Sequence, residues 1–193
     1  APHLRFVFSS AAAACIAIAE HDPLGGAPGS SFPGRWPRLL WPRFRHFAGA
    51  AETGWLSVPC ELIDHNGDAL RELVLRYIKH WQLPPEFARW VLDHCAFYNT
   101  LVDRIVTGYP ADGSDITAQL GYEDRYLVAG EVYYQFVIQG PDALAQELKL
   151  AALAPEVKFV DDITPYKAQK VASLNGAHTA IVAVAIQAVL ASV

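Results

Sequence analysis

Residues 55–81 read WLSVPCELIDHNGDALRELVLRYIKHW, and the two halves of that stretch obey different periods. Trp55-Leu56-Ser57-Val58 is a short apolar run with strand-forming residues, closed by Pro59. Asn66-Gly67-Asp68 is a turn signal. Beyond it Leu70, Leu73, Val74, Tyr77, Ile78 and Trp81 recur at intervals of three and four, the mark of an amphipathic helix. A strand that passes through a turn into a helix is the repeating unit of an α/β architecture.

The same alternation extends outward. Pro84-Pro85 breaks the first helix, and a second is predicted over 86–92 with Pro85 at its start. Tyr126-Leu127-Val128 and Val132 to Ile138 read as strands separated by Ala129-Gly130-Glu131. Asp142 to Leu153 reads as a helix, and Val157-Lys158-Phe159-Val160 as a last short strand. Upstream, Leu4 to Phe8 is a strand leading into Ser9, Ser10 and a run of alanines. His21 to Gly34, rich in Gly, Pro and Ser, is a loop. Arg35 to Phe47 mixes arginines with aromatics, and Pro37 and Pro42 interrupt it. Basic and aromatic residues together can hold single-stranded nucleic acid. One such segment in an acidic chain reads instead as packing plus a solvated face. No internal repeat is visible.

Composition narrows the function classes. The 193 residues are 52% hydrophobic and 18% charged, which excludes a disordered polymer. A net charge of −5 argues against an overall grip on nucleic acid or an anionic membrane. Cys15, Cys60 and Cys95 form neither a disulfide framework nor a Cys-x-x-Cys pair, a pattern suited to a reducing, cytoplasmic setting. Leu4 to Phe8 is too short and too early for a secretory signal. The apolar run Thr179 to Val193 falls short of the roughly 20 residues a membrane span needs. It reads as a buried core helix. The chain lacks methionine, begins Ala-Pro-His and stops inside that apolar run, so it is expected to be a segment of something longer.

Chemistry-bearing residues concentrate near that last helix. Asp161 and Asp162 precede it, where carboxylates suit the positive end of a helix dipole. Thr164 is the expected N-cap and Pro165 the first helical residue. Lys170, Asn175 and His178 follow. On an α-helix Asn175 lies about 140° and His178 about 80° from Lys170, within one broad face. A small extended substrate could lie between Lys170 and His178. Equally, spacing alone is met by a solvated lysine, a surface amide and a core histidine. Cys60, Glu61, Asp64 and His65 match no zinc spacing, and neither do His94 and Cys95. No nucleophile elbow, phosphate-binding loop or Gly-x-Gly-x-x-Gly fingerprint occurs.

Three blocks carry a family resemblance. They are Pro59-Cys60-Glu61-Leu62-Ile63-Asp64-His65-Asn66-Gly67-Asp68, then Asn99-Thr100-Leu101-Val102-Asp103-Arg104-Ile105-Val106, then Lys170-Val171-Ala172-Ser173-Leu174-Asn175-Gly176-Ala177-His178. In this order they resemble the mannitol dehydrogenases, the polyol-specific long-chain dehydrogenases, whose signature is Lys-x-x-x-x-Asn-x-x-His. The resemblance implies the latter part of a Rossmann-type domain over 1–160 and the start of a mostly helical C-terminal substrate domain over 161–193. It implies zinc-independent oxidation of a secondary alcohol on a sugar acid or polyol, with NAD as cofactor and no metal. Lys170 would be the base that takes the hydroxyl proton. Asn175 and Asn66 would hold the developing alkoxide, and His178 would bond the substrate. Asp103 would orient the polyol or the lysine, and Arg104 or Lys167 would pair with a substrate carboxylate. Ser9 and Ser10 stand where the family lines its cofactor site. The fingerprint being absent, the isolated chain is expected to show no turnover, and a non-catalytic truncated remnant is the alternative. An apolar helix without its partners would also promote self-association.

Overall fold

The computed structural model describes residues 6–9, 32–150, 154 and 156–188. Ser10 and Cys15, the alanine run and most of the predicted loop from His21 lie outside the described residues.

Three parallel strands organise the first half: β1 (Phe6–Ser9), β2 (Leu56–Pro59) and β3 (Ala96–Phe97), in that spatial order. Phe6 stands opposite Leu56, and Leu56 opposite Ala96. All four residues of β2 are buried, because a parallel strand in an α/β fold is covered on both faces. Helices α1 (Phe32–His46), α2 (Asn66–His80) and α3 (Pro85–His94) supply one cover. Trp36 and Leu40 of α1 pack with Leu70, Val74 and Ile78 of α2, Phe87, Trp90 and Val91 of α3, and Trp55. The predicted helix positions Leu70, Val74, Tyr77 and Ile78 are therefore the buried ones.

The second half is a mixed sheet. Strand β4 (Thr100–Asp103) pairs antiparallel with β7 (Gln135–Gln139), which pairs parallel with β8 (Val157–Val160). Helix α5 (Asp142–Leu148) joins β7 to β8. Leu56 and Val58 of β2 share a second core with Ile138, Leu144 and Val157, so the two sheets meet behind β2. A small antiparallel ladder, β5 (Val106–Gly108) with β6 (Ala129–Gly130), and helix α4 (Gly113–Leu120) lie between β4 and β7 in sequence.

Several expectations are corrected. Pro37 and Pro42 do not interrupt α1. Both lie inside it, and Pro37 is fully buried. Each removes one ladder N–H, and the burial of Trp36, Leu40 and the Arg43 side chain offsets that loss. Tyr126-Leu127-Val128 is not a strand. Tyr126 is 90% exposed, and the bridge forms at the expected separator, Ala129–Gly130. The helix predicted over Asp142 to Leu153 is broken at Lys149, which turns left-handed after Leu148; Leu150 is helical again, and residues 151–153 lie outside the described residues. Thr164 does not cap the last helix; the Asp162 carboxylate accepts the Thr164 N–H at 2.8 Å instead.

That last helix is not uniform. It runs as α6 (Thr164–Gln169), a π-helical turn (Lys170–Asn175) and α7 (Gly176–Gln187). The core-helix expectation also fails among the described residues, since only Ala185 of α7 is buried. No helix among the described residues is long and apolar enough to cross a membrane.

Candidate active site

In an open α/β sheet, ligands bind outside the carboxyl ends of the parallel strands. A cavity of about 280 Å³ lies there. One wall is the loop after β2, from Glu61 to His65. A second is the link from β3 into β4, Asn99 to Val102. The third is the last helix, through Ile163, Lys167, Lys170, Val171 and Asn175.

Asparagines brace the first two walls. Asn66, 3% exposed, donates from Nδ2 toward the Pro59 and Glu61 carbonyls and to Thr100 Oγ1, while its Oδ1 accepts the Thr100 N–H at 2.8 Å. Asn99 accepts the Asp68 N–H and donates to the Asp68 carboxylate at 2.8 Å. Between them the start of α2 is clamped to the start of β4. Gly67 permits that approach: a Cβ there would stand 2.5 Å from the Tyr98 carbonyl carbon. His65, just before α2, adopts a left-handed conformation at φ 47°, an uncommon state for a non-glycine residue.

The helix wall carries two lysines, each paired with a different element. Lys170 Nζ lies 3.3 Å from Asp103 Oδ1 at the end of β4, with side chains 13% and 22% exposed. Lys167 pairs with Asp64 of the loop after β2. The hydrogen bond from Lys167 holds the Asp64 carboxyl below its ordinary value. Asn175 lines the same cavity as Lys167 and Lys170.

The other expected residues stand apart. Asn66 does not reach the cavity, and its two N–H groups are spent on backbone carbonyls and Thr100. His178 is exposed and is not part of the cavity wall. Arg104 is exposed and donates through Nε to the Glu131 carbonyl at 2.9 Å, facing a neighbouring depression shared with Cys60, Asp103 and Tyr134. Ser9 ends β1 opposite Pro59. Asp64, weighed from sequence only as a metal ligand, and Asn99, quoted only within its block, both line the cavity. The available signal was their position, directly after the carboxyl ends of strands. Burial pushes the thiols of Cys60 and Cys95 up to about 11, so neither is a ready nucleophile near neutral pH. Among the described residues no group of three His, Cys, Asp or Glu side chains converges.

Comparison with known proteins adds to this geometry. The family model described as the mannitol dehydrogenase Rossmann domain matches residues 7–152. The chain is 58% identical over 185 residues to an altronate oxidoreductase of Yersinia enterocolitica, covering 95% of this chain and 38% of that protein. It is 53% identical over 193 residues to an altronate oxidoreductase of Escherichia coli, covering 100% and 40%. Among solved structures it is similar to a D-sorbitol dehydrogenase in substrate-free form, with a TM-score of 0.57 and 26% identity over 77% of this chain and 29% of that one. The fold is also that of Pseudomonas fluorescens mannitol 2-dehydrogenase in ternary complex with NAD and D-mannitol, at a TM-score of 0.55 and 24% identity over 77% and 28%. The chain spans about two fifths of the length of the curated relatives it matches.

Proposed function

The chain belongs to the mannitol dehydrogenase family, and from that premise we propose that it contributes one wall-set of the active site of an NAD-dependent oxidoreductase acting on a sugar acid, interconverting D-altronate and D-tagaturonate. The observation that carries the reading is the Lys170–Asp103 pair, set with Asn175 on a cavity at the carboxyl edge of a parallel sheet. The names of the relatives favour altronate over fructuronate, mannonate or mannitol as substrate.

The donor set suits the reactive end of a dinucleotide. Leu62, Leu101 and Val102 give apolar wall beside Asp64 and Asn99, and the crevice lies where such cofactors place their ring. Ser9 ends β1 on the same edge, opposite Pro59. Bound NAD would supply the hydride acceptor. The residues of this chain do the rest. Lys170, acting as the neutral amine, takes the hydroxyl proton and becomes the ammonium. Asn175 donates to the oxygen as charge develops. Asp103 holds the lysine in place and balances its charge. Lys167, tethered by Asp64, is the cation on this cavity that would meet the carboxylate of an aldonate. Arg104, committed to Glu131, is not. Asn66 acts by fixing Thr100 and the cavity floor, and His178 bonds the substrate from a part of the molecule beyond this cavity. Residues 161–193 would open the substrate domain.

The test is the full-length protein bearing this segment, assayed for NADH formation from D-altronate. Lys170→Ala should lower kcat by about 10²–10⁴, the usual contribution of a general base, with NAD affinity nearly unchanged. A variant with near-wild-type kcat and an unchanged pH profile would make the lysine structural.

A further inference from the structure

Lys170 and Asn175 are five residues apart, and in an α-helix that spacing separates them by about 140° around the axis. Yet both side chains line one cavity. The reason lies in the backbone between them. Residues Lys170–Asn175 are π-helical, and the Gly176 N–H is shared between the Ser173 carbonyl and that of Val171, five residues back. A turn closed by i→i+5 bonds takes in one residue more than an α-turn, so positions five apart are brought toward the same face. Such turns are rare and gather at functional sites.

Nothing inside the turn forces this geometry. Val171, Ala172, Ser173 and Leu174 include no glycine or proline, and the first three are exposed. The turn is held from its ends. Upstream, Lys167 is tied to Asp64 and Lys170 to Asp103, so two successive turns are anchored to two different elements, the loop after β2 and the end of β4. Downstream, the Thr179 hydroxyl donates to the Asn175 carbonyl at 2.9 Å, where the ladder returns to α.

We propose that the π turn is a positioning device that sets Lys170 and Asn175 side by side on the cavity, as base and oxygen-holding amide for one substrate hydroxyl. The number of residues between them, not their identity, is the specified quantity. The proposal rests on the oxidoreductase reading of these two residues, so its test has one arm that does not.

That arm reads geometry with zinc as the probe. Lys170→His with Asn175→His places two imidazoles five apart; Lys170→His with Leu174→His places them four apart. In the π turn the first pair should bind Zn²⁺ on the order of tenfold tighter by calorimetry. Equal affinity, or tighter binding by the second pair as an α-helix requires, overturns the proposal. If either variant fails to fold, through-hydrogen-bond NMR coupling in the unaltered chain decides the matter. Coupling from the Gly176 nitrogen to the Val171 carbonyl carbon supports the π turn, and coupling to that of Ala172 overturns it. The second arm exchanges Leu174→Asn with Asn175→Leu and follows side-chain amide signals during D-altronate titration. The native Asn175 amide should shift and the relocated amide should not; equal shifts overturn the proposal. If D-altronate moves no amide in the native chain while zinc prefers the five-apart pair, the substrate reading fails and the positioning geometry stands.

Discussion

Asn66 shows how a residue type can be read from sequence while its surroundings cannot. Its place beside a turn and its family match pointed to an oxygen-holding amide. In the fold it is buried against Pro59, Glu61 and Thr100, the last 34 positions away, and no local period encodes that contact. A buried donor left without a partner costs about 1–3 kcal/mol. Asn66→Ala would strip the Thr100 N–H of its acceptor and should lower unfolding free energy by roughly 2–3 kcal/mol in a urea titration. A change within the noise of neighbouring surface variants would mean that the clamp contributes nothing. Asp64 is a second case. The Lys167 hydrogen bond is the largest cause holding its carboxyl below 3.8. A depressed carboxyl contributes fully above its unfolded value and loses its contribution as pH falls through the lower folded value. The Lys167–Asp64 tether should thus persist at neutral pH and release only in acid, below about 3.8. A ¹³C carboxyl titration should place the Asp64 midpoint under that figure, and Lys167→Gln should move it upward. An unmoved midpoint would show that the ion pair does not form.

Elements whose period is local were legible. The strand at Trp55–Val58, the helix through Leu70 to Ile78, the proline-started α3 and β8 all carry their pattern in consecutive residues. Elements decided by tertiary contact were not. The prolines of α1 look like breaks until Trp36 and Leu40 are seen buried against α2 and α3. Tyr126-Leu127-Val128 has strand composition but pairs with no strand among the described residues. The π turn is invisible because Val171 to Leu174 would suit an α-helix equally. Asp103, which the family resemblance implies as orienting the polyol or the lysine, lies at ion-pair distance from Lys170. The junction of α2 with the β3–β4 link gives a test at this scale. A Cβ on Gly67 would meet the Tyr98 carbonyl carbon at 2.5 Å, its oxygen at 2.6 Å and the Asn99 nitrogen at 2.8 Å. All three are backbone atoms and cannot rotate aside. Gly67→Ala must push α2 off the link, straining the Asn66–Thr100 and Asp68–Asn99 bonds together. Overpacking of this kind costs about 1–3 kcal/mol, and loss of the bonds adds to it. Thermal unfolding should show a clear drop; an unchanged Tm would mean that the helix and link are not in contact.

Over the whole molecule, burial is unevenly shared. Two cores meet behind β2, whereas the helix that carries Lys170 stands largely outside them. From Ala180 to Ile186 its side chains are apolar on every side, yet Ile181 is 47% exposed, Val182 45%, Val184 65% and Ile186 72%. Apolar side chains on all faces of a helix belong in contact with other apolar surface, and at about 25 cal/mol per Å² their burial is a strong drive. A contiguous exposed patch beyond a few hundred Å² promotes association in a soluble protein. The chain should therefore sediment as concentration-dependent oligomers. Val182→Glu with Ile186→Lys would break the patch on one side while adding an i,i+4 pair in the orientation that favours helix. That double variant should shift the distribution toward monomer with far-UV helicity retained, and it should leave the Lys170–Asp103 contact intact. If the unaltered chain were monomeric at high concentration, or if the double variant associated as strongly, the exposed face of α7 would not be the surface that drives assembly.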